Sequence, residues 1–182
     1  WQSAAEGRRR AEAALQSSRS ALRLVWFAGV LALGLFCAIA WYLAPLQPDI
    51  LALQFAFTPR AFGEVVHQWT GEPLHRFRMH LPADCALLVS YGLFGYLLTT
   101  RTPLFDALPA RVRRGLAWVL PMAAAFDALE NGLHLWLTEV PRFGVSWPYW
   151  LAAMSASAKW LLLFVFAIAL VVALVRPRRD DA

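Results

Sequence analysis

Residues 115–138 read GLAWVLPMAAAFDALENGLHLWLT, a stretch long and apolar enough to cross a bilayer that nevertheless carries Asp127, Glu130, Asn131 and His134. At 100° per residue, positions i, i+3, i+4 and i+7 fall on one side of a helix, so these four groups form a single polar stripe. Leu, Ala, Met and Phe cover the remaining faces. A carboxylate facing lipid costs several kcal/mol, so the stripe must turn toward a bundle interior or a wet cavity.

The rest of the chain agrees with that class. Its 182 residues are the length of one domain, and 59% are hydrophobic and 16% charged, against about 45–50% and 25% in soluble domains. The formal charge is +5. Its arginines cluster beside apolar spans rather than along one soluble face, which favours a lipid surface and excludes nucleic acid as the expected partner. The 17 basic residues include a single lysine, Lys159, inside an apolar run. Cys37 and Cys85 both lie in apolar segments and are expected as buried thiols rather than a disulfide.

The expected fold is all-α: a four-helix transmembrane bundle, residues 1–182 forming one membrane domain, with spans at 22–46, 82–100, 115–138 and 149–175. Residues 1–20 are polar and basic, an exposed helix or tail. Arg8–Arg10, the following apolar run and Ala38-Ile39-Ala40 also fit a cleavable signal, but the run is long for one and Trp41-Tyr42 follows it as an interface anchor would. Residues 47–81 form the interfacial segment between spans one and two. Within it, Thr58-Pro59 is a helix start, with threonine as N-cap and proline in the first turn. The sequence RAFGEVVHQW then gives a short amphipathic helix that lies over the bundle. Counting arginines gives five in 8–23, four in 101–114 and three in the C-terminal tail, against three in 47–81 and one in 139–148. That imbalance places both termini in the cytoplasm, as in a multi-pass protein of a bacterial inner membrane.

Rise per residue brings the polar groups to one depth. Measured from Arg114, Asp127 lies about 20 Å into the membrane, Glu130 about 24 Å, Asn131 about 26 Å and His134 about 30 Å. From Arg101, running the other way, Asp84 lies about 26 Å in and His80 about 31 Å; from Arg176, Lys159 lies about 26 Å in. Asp84, Glu130, Asn131 and Lys159 therefore share a layer in the outer part of the core, with Asp127 a turn deeper.

Three kinds of chemistry fit that layer. Lys159 pairing with Glu130 or Asp84, with Asn131 and Asp127 hydrogen-bonding across, is a structural lock that fixes helix register. The same residues with Tyr91, whose hydroxyl needs a partner and finds one in Asp127, are a pocket for a lipid, a cationic amphiphile or a small solute. The i, i+4 pairs His80–Asp84 and Glu130–His134 on antiparallel helices are also a zinc-, iron- or manganese-type metal site, although Pro82 and Lys159 oppose it. No cofactor is expected otherwise, and His67 and His75 read as solvated. Gly92 and Gly95 permit close helix approach, and the Ser155 and Ser157 hydroxyls bond their own helix. No G-x-S-x-G elbow, Walker motif or dinucleotide glycine pattern is present. The partners expected are the bilayer, a lipid or small-molecule ligand, and a second copy or another membrane protein.

With Asp84, Tyr91-Gly92, Asp127-x-x-Glu130-Asn131 and Lys159-Trp160 in view, the chain resembles a group of small, uncharacterised bacterial four-span membrane proteins. That group carries an Asp ahead of a Tyr-Gly on span two, an Asp-x-x-Glu-Asn on span three and a Lys on span four. The resemblance covers about residues 55–165 and departs at 85–90, where Phe-Pro is expected before the Tyr-Gly. It implies the layout and the cluster, includes neither His80 nor His134, and carries over no activity. In general arrangement alone, the chain is also similar to the emopamil-binding family of sterol isomerases.

Overall fold

The computed structural model describes the backbone of residues 2–175 and the side chains of residue 16 and residues 19–175. The basic stop at 176–180 and the Arg8–Arg10 side chains lie outside the described residues. Every regular element among the described residues is helical: α1 (Gln2–Leu43), α2 (Ile50–Gln54), α3 (Pro59–Gln68), α4 (Glu72–Arg101), α5 (Ala110–Glu139) and α6 (Trp147–Val175), with one 3-10 turn at Pro103–Phe105. Three segments are long and apolar enough to cross a membrane: Arg19–Leu43 of α1, all of α4 and all of α6. Helix α5 matches α4 at 30 residues. It is more polar, because Arg111, Arg113 and Arg114 open it and Asp127, Glu130, Asn131 and His134 interrupt its apolar run.

Helix α1 packs on α4, α4 on α5 and α5 on α6, so α4 and α5 form the middle of the bundle. Small residues set these approaches. A Cβ at Gly95 would lie 2.6 Å from the Leu120 Cβ on α5, and one at Gly29 would lie 2.8 Å from the Phe94 ring on α4. Below this contact, Leu87, Leu88, Tyr91, Phe105, Leu116, Leu120, Ala123 and Phe166 form one apolar core.

A second core closes the opposite end, where α1 and α5 finish and α4 and α6 begin. Here Leu53 of α2, Phe62 and Val65 of α3, and Trp69 pack on Phe77, Leu137 and Tyr149. Both short helices begin on side-chain caps. Asp49 accepts from Ala52 N at 3.0 Å, and Thr58 accepts from Ala61 N at 3.1 Å with Pro59 in the first turn, as the Thr-Pro signal requires. Trp69 Nε1 donates to the Pro48 carbonyl at 2.9 Å, and Trp160 Nε1 of α6 donates to Gln54 Oε1 at 3.0 Å. The two helices thus make a lid that is tied to the bundle. Arg78 adds a tie beside it by donating to the Thr138 carbonyl at 2.6 Å in the last turn of α5.

Three expectations change. The second long helix starts at Glu72 rather than residue 82, and so takes in the end of the 47–81 segment. Pro82 removes only the one bond its missing N–H would give to the Arg78 carbonyl, and the apolar and Arg78 contacts on either side hold the helix through it. The N-terminal polar stretch is continuous with the first span as one helix backbone. Cys37 and Cys85 are free thiols, but they are exposed on outward helix faces rather than buried. Helix α1 packs chiefly on α4, which leaves most of its circumference, Cys37 included, turned away from the bundle.

The glycine contacts give a direct test. Gly95→Ala forces the backbones of α4 and α5 apart, because the opposing Leu120 Cβ cannot rotate out of the way, and is expected to cost about 1–3 kcal/mol. Gly34→Ala, whose new methyl meets nothing within 4 Å, should be neutral or slightly stabilising. Thermal unfolding of both variants in mild detergent, followed by helix ellipticity, compares them; equal midpoints would refute the close-approach account.

Candidate functional site

The polar stripe of α5 turns inward, between α4 and α6. Asp127, Glu130 and His134 are all buried, and Asn131 is half-buried at the stripe's edge. From α6, Lys159 enters the same space at 4% exposure. Its ammonium lies 3.0 Å from Asp127 Oδ1, to which it donates a hydrogen bond, and 2.6 Å from Glu130 Oε2. From α4, Tyr91 donates to Asp127 Oδ2 at 3.2 Å. Asn131 donates to Asp84 Oδ2 at 2.5 Å. The four residues expected in one layer, Asp84, Glu130, Asn131 and Lys159, therefore come together with Asp127 and Tyr91 from below it, drawn from three helices.

The pairing differs in detail from the sequence reading. Lys159 takes Glu130, one of the two partners expected, but adds Asp127 rather than Asp84, because residues 127 and 130 are one helical turn apart on the same face and a long lysine spans both. Asp84 is left to Asn131. The Tyr91–Asp127 bond is the one its spacing anticipates, and the Ser155 and Ser157 hydroxyls bond the Leu151 and Ala153 carbonyls, each at 2.8 Å. His67 and His75 are exposed.

Glu130 is the unusual member. It is 0% exposed; its Oε2 is met by the Lys159 ammonium at 2.6 Å, whereas its Oε1 has no hydrogen-bond partner. Its Oε1 lies 3.7 Å from His134 Nδ1, one turn on along α5. His134 is in turn roofed by the lid: the Phe62 ring lies 5.9 Å from the imidazole, Phe77 lies 6.4 Å away, and Phe62 meets Tyr149 edge-on at 5.1 Å. His80, also buried, turns Nδ1 to the Phe77 carbonyl; a carbonyl only accepts, so that nitrogen carries the proton.

Among the described residues, no group of three or more His, Cys, Asp or Glu side chains is placed to hold a metal ion. The His80, Asp84, Glu130 and His134 set is divided between separate partners: the Phe77 carbonyl for His80, Asn131 for Asp84, and Lys159 for Glu130. Of the two carboxylates in that set, Glu130 already has the Lys159 ammonium at 2.6 Å.

No protein family, curated protein or solved structure matches this chain. The residues missed at the sequence level are those that cover the cluster: Phe62 over His134, Gln54 paired to Trp160, and Arg78 on Thr138. Phe62 was legible as part of an apolar helix face, but no spacing rule connects residue 54 to residue 160.

The charge balance makes a sharp prediction. A contact between polar groups on neighbouring membrane helices is worth under about 1 kcal/mol on average, whereas stripping one partner from a buried ion pair costs about 3–5 kcal/mol. Lys159→Met should fall in the second range, because it strands Asp127 and Glu130 together. Adding Asp127→Asn and Glu130→Gln to Lys159→Met should recover most of the loss. Chemical unfolding in detergent measures all three proteins; a Lys159→Met variant as stable as the parent would rule out a desolvated cluster.

Proposed function

We propose that the chain is a four-span membrane protein, with α5 as its fourth span, whose buried cluster binds a lipid or small solute beneath the α2–α3 lid. At 30 residues, α5 is about 45 Å long, enough for a hydrocarbon core about 30 Å thick. Its polar face meets α4 and α6, so only its apolar faces are left for lipid. The arginine imbalance puts both termini in the cytoplasm and the lid on the outer side of a bacterial inner membrane. Asp84, Tyr91, Asp127, Glu130, Asn131 and Lys159 are the ligand-binding residues in this reading.

The observation that carries the proposal is Glu130. A fully buried carboxylate oxygen with no hydrogen-bond partner, as at Oε1, is a costly feature that packing alone does not need. A ligand donor at Oε1 would satisfy it, and ionisable groups inside a membrane domain are functional candidates by default. The competing reading makes the cluster purely architectural. It draws on the way Lys159, Tyr91 and Asn131 connect three helices at one level.

Native mass spectrometry of the untagged protein in mild detergent separates the two. On the ligand reading, the parent retains a lipid or small-molecule adduct that Glu130→Gln loses at an unchanged unfolding temperature. A bare parent mass, with Glu130→Gln altering only stability, would leave the architectural reading standing instead.

A further inference from the structure

The buried cluster is strongly off-centre along the bundle. About 8 Å of helix separates His134 from the end of α5 at Glu139, against about 26 Å between Ala110 and Asp127. On the long side, Phe105, Leu116, Leu120 and Phe166 pack below Tyr91. Among the described residues, the buried polar side chains from Ser90 to the end of that half are Ser90 and Thr99, whose hydroxyls are committed to the Ala86 and Gly95 carbonyls at 2.7 and 2.8 Å. On the short side, the short helices α2 and α3, of 5 and 10 residues, pack on Phe77, Leu137 and Tyr149 to form the cover. Helices this short are not stable alone and open locally far more readily than a packed bundle.

We propose that Glu130 and His134 form a proton-exchange site that communicates with water at the lid end alone. This goes beyond the ligand reading and does not rest on it. The charge inventory supports it: Asp84, Asp127 and Glu130 are enclosed with one lysine. Surplus negative charge in a packed interior is unfavourable, and a proton is the cation that needs no cavity.

The neighbours that bear on the pair come from each packed element. Helix α4 contributes His80, Asp84 and Tyr91, α5 contributes Asp127, and α6 contributes Lys159. Helix α3 presents Phe62 and Val65 while leaving Glu64 and His67 exposed. Helix α1 brings no buried titratable side chain among the described residues. The step itself is a relay. When the lid parts, one imidazole nitrogen of His134 gains a proton from hydronium, releasing water. Its Nδ1–H bond then breaks as an O–H bond forms at Glu130 Oε1, after a small side-chain shift closes the 3.7 Å gap. Glu130 becomes neutral, His134 returns to neutral, and Lys159 keeps its bond to Asp127. Acid at the lid side therefore removes one of the two carboxylate partners of Lys159.

The test is infrared difference spectroscopy on the full chain in sealed phosphatidylcholine vesicles. Orientation is set by an impermeant maleimide on a Gln68→Cys substitution, with Cys37 and Cys85 replaced by serine. An acid step on the lid side should produce the carbonyl stretch of a protonated carboxylic acid promptly, and Glu130→Gln should lack that band. The same step on the opposite side should produce it only as slowly as protons leak across the vesicle. His134→Phe should slow the lid-side response by about a hundredfold, the scale of a lost general acid–base group. His134→Asn, which keeps a polar group for the fold, should slow it likewise. Equal responses from both sides, a band that survives Glu130→Gln, or full speed in both His134 variants would each overturn the proposal.

Discussion

One ammonium held between two carboxylates sets the terms for this protein. Lys159 has no water to solvate it at 4% exposure, so its charge must be met by Asp127 at 3.0 Å and Glu130 at 2.6 Å. Meeting both at once fixes how α6 is rotated and how far along α5 it stands, since a slip of one residue would carry the acids 100° round the helix. The same requirement reaches α4. Asp127 has a second oxygen to satisfy and takes Tyr91, while Asn131, next along the stripe, takes Asp84. Contacts this short need the backbones close together, and Gly95 against Leu120 gives α4 and α5 the necessary proximity. Hydrophobic packing fills the bundle, but these polar distances choose one register for it.

The lid follows from the same constraint. A charged layer so near the end of the bundle would be flooded unless something apolar sat over it. Phe62, Trp69, Phe77 and Tyr149 supply that cover, with Phe62 directly over His134. Neither α2 nor α3 is long enough to stand alone. Their caps at Asp49 and Thr58 satisfy the first backbone donors, Trp69 ties the end of α3 to Pro48 ahead of α2, and Trp160 of α6 holds Gln54 of α2. Trp160 follows Lys159 directly in the chain, so one turn of α6 both completes the cluster and secures its cover. The molecule thus has a thick, dry half below the cluster and a thin, separately held layer above it.

Where residue patterns misled, the cause was competition from tertiary contacts. Pro82 and the polar HRFRMH run read as the approach to a span, yet helix continues from Glu72 because Phe77, His80 and Arg78 all find partners inside or at the end of the bundle. The cysteines sit in apolar runs, which a soluble protein would bury. In a bundle whose outward faces are themselves apolar, an apolar neighbourhood in sequence says nothing about which face a side chain takes.

Helical periodicity alone was enough to place Asp127, Glu130, Asn131 and His134 on one stripe, because the angle between residues of a helix is constant. Rise per residue sufficed to bring Asp84 and Lys159 to the level of Glu130 and Asn131, and the Thr58-Pro59 pair marked the start of α3. These are local or one-dimensional quantities, so they are written in the chain. Which acid Lys159 chooses, why Asp84 turns to Asn131, and the union of Gln54 with Trp160 depend on helix rotation and separation. Those are settled only when side chains from distant segments compete for the same few ångströms of interior space.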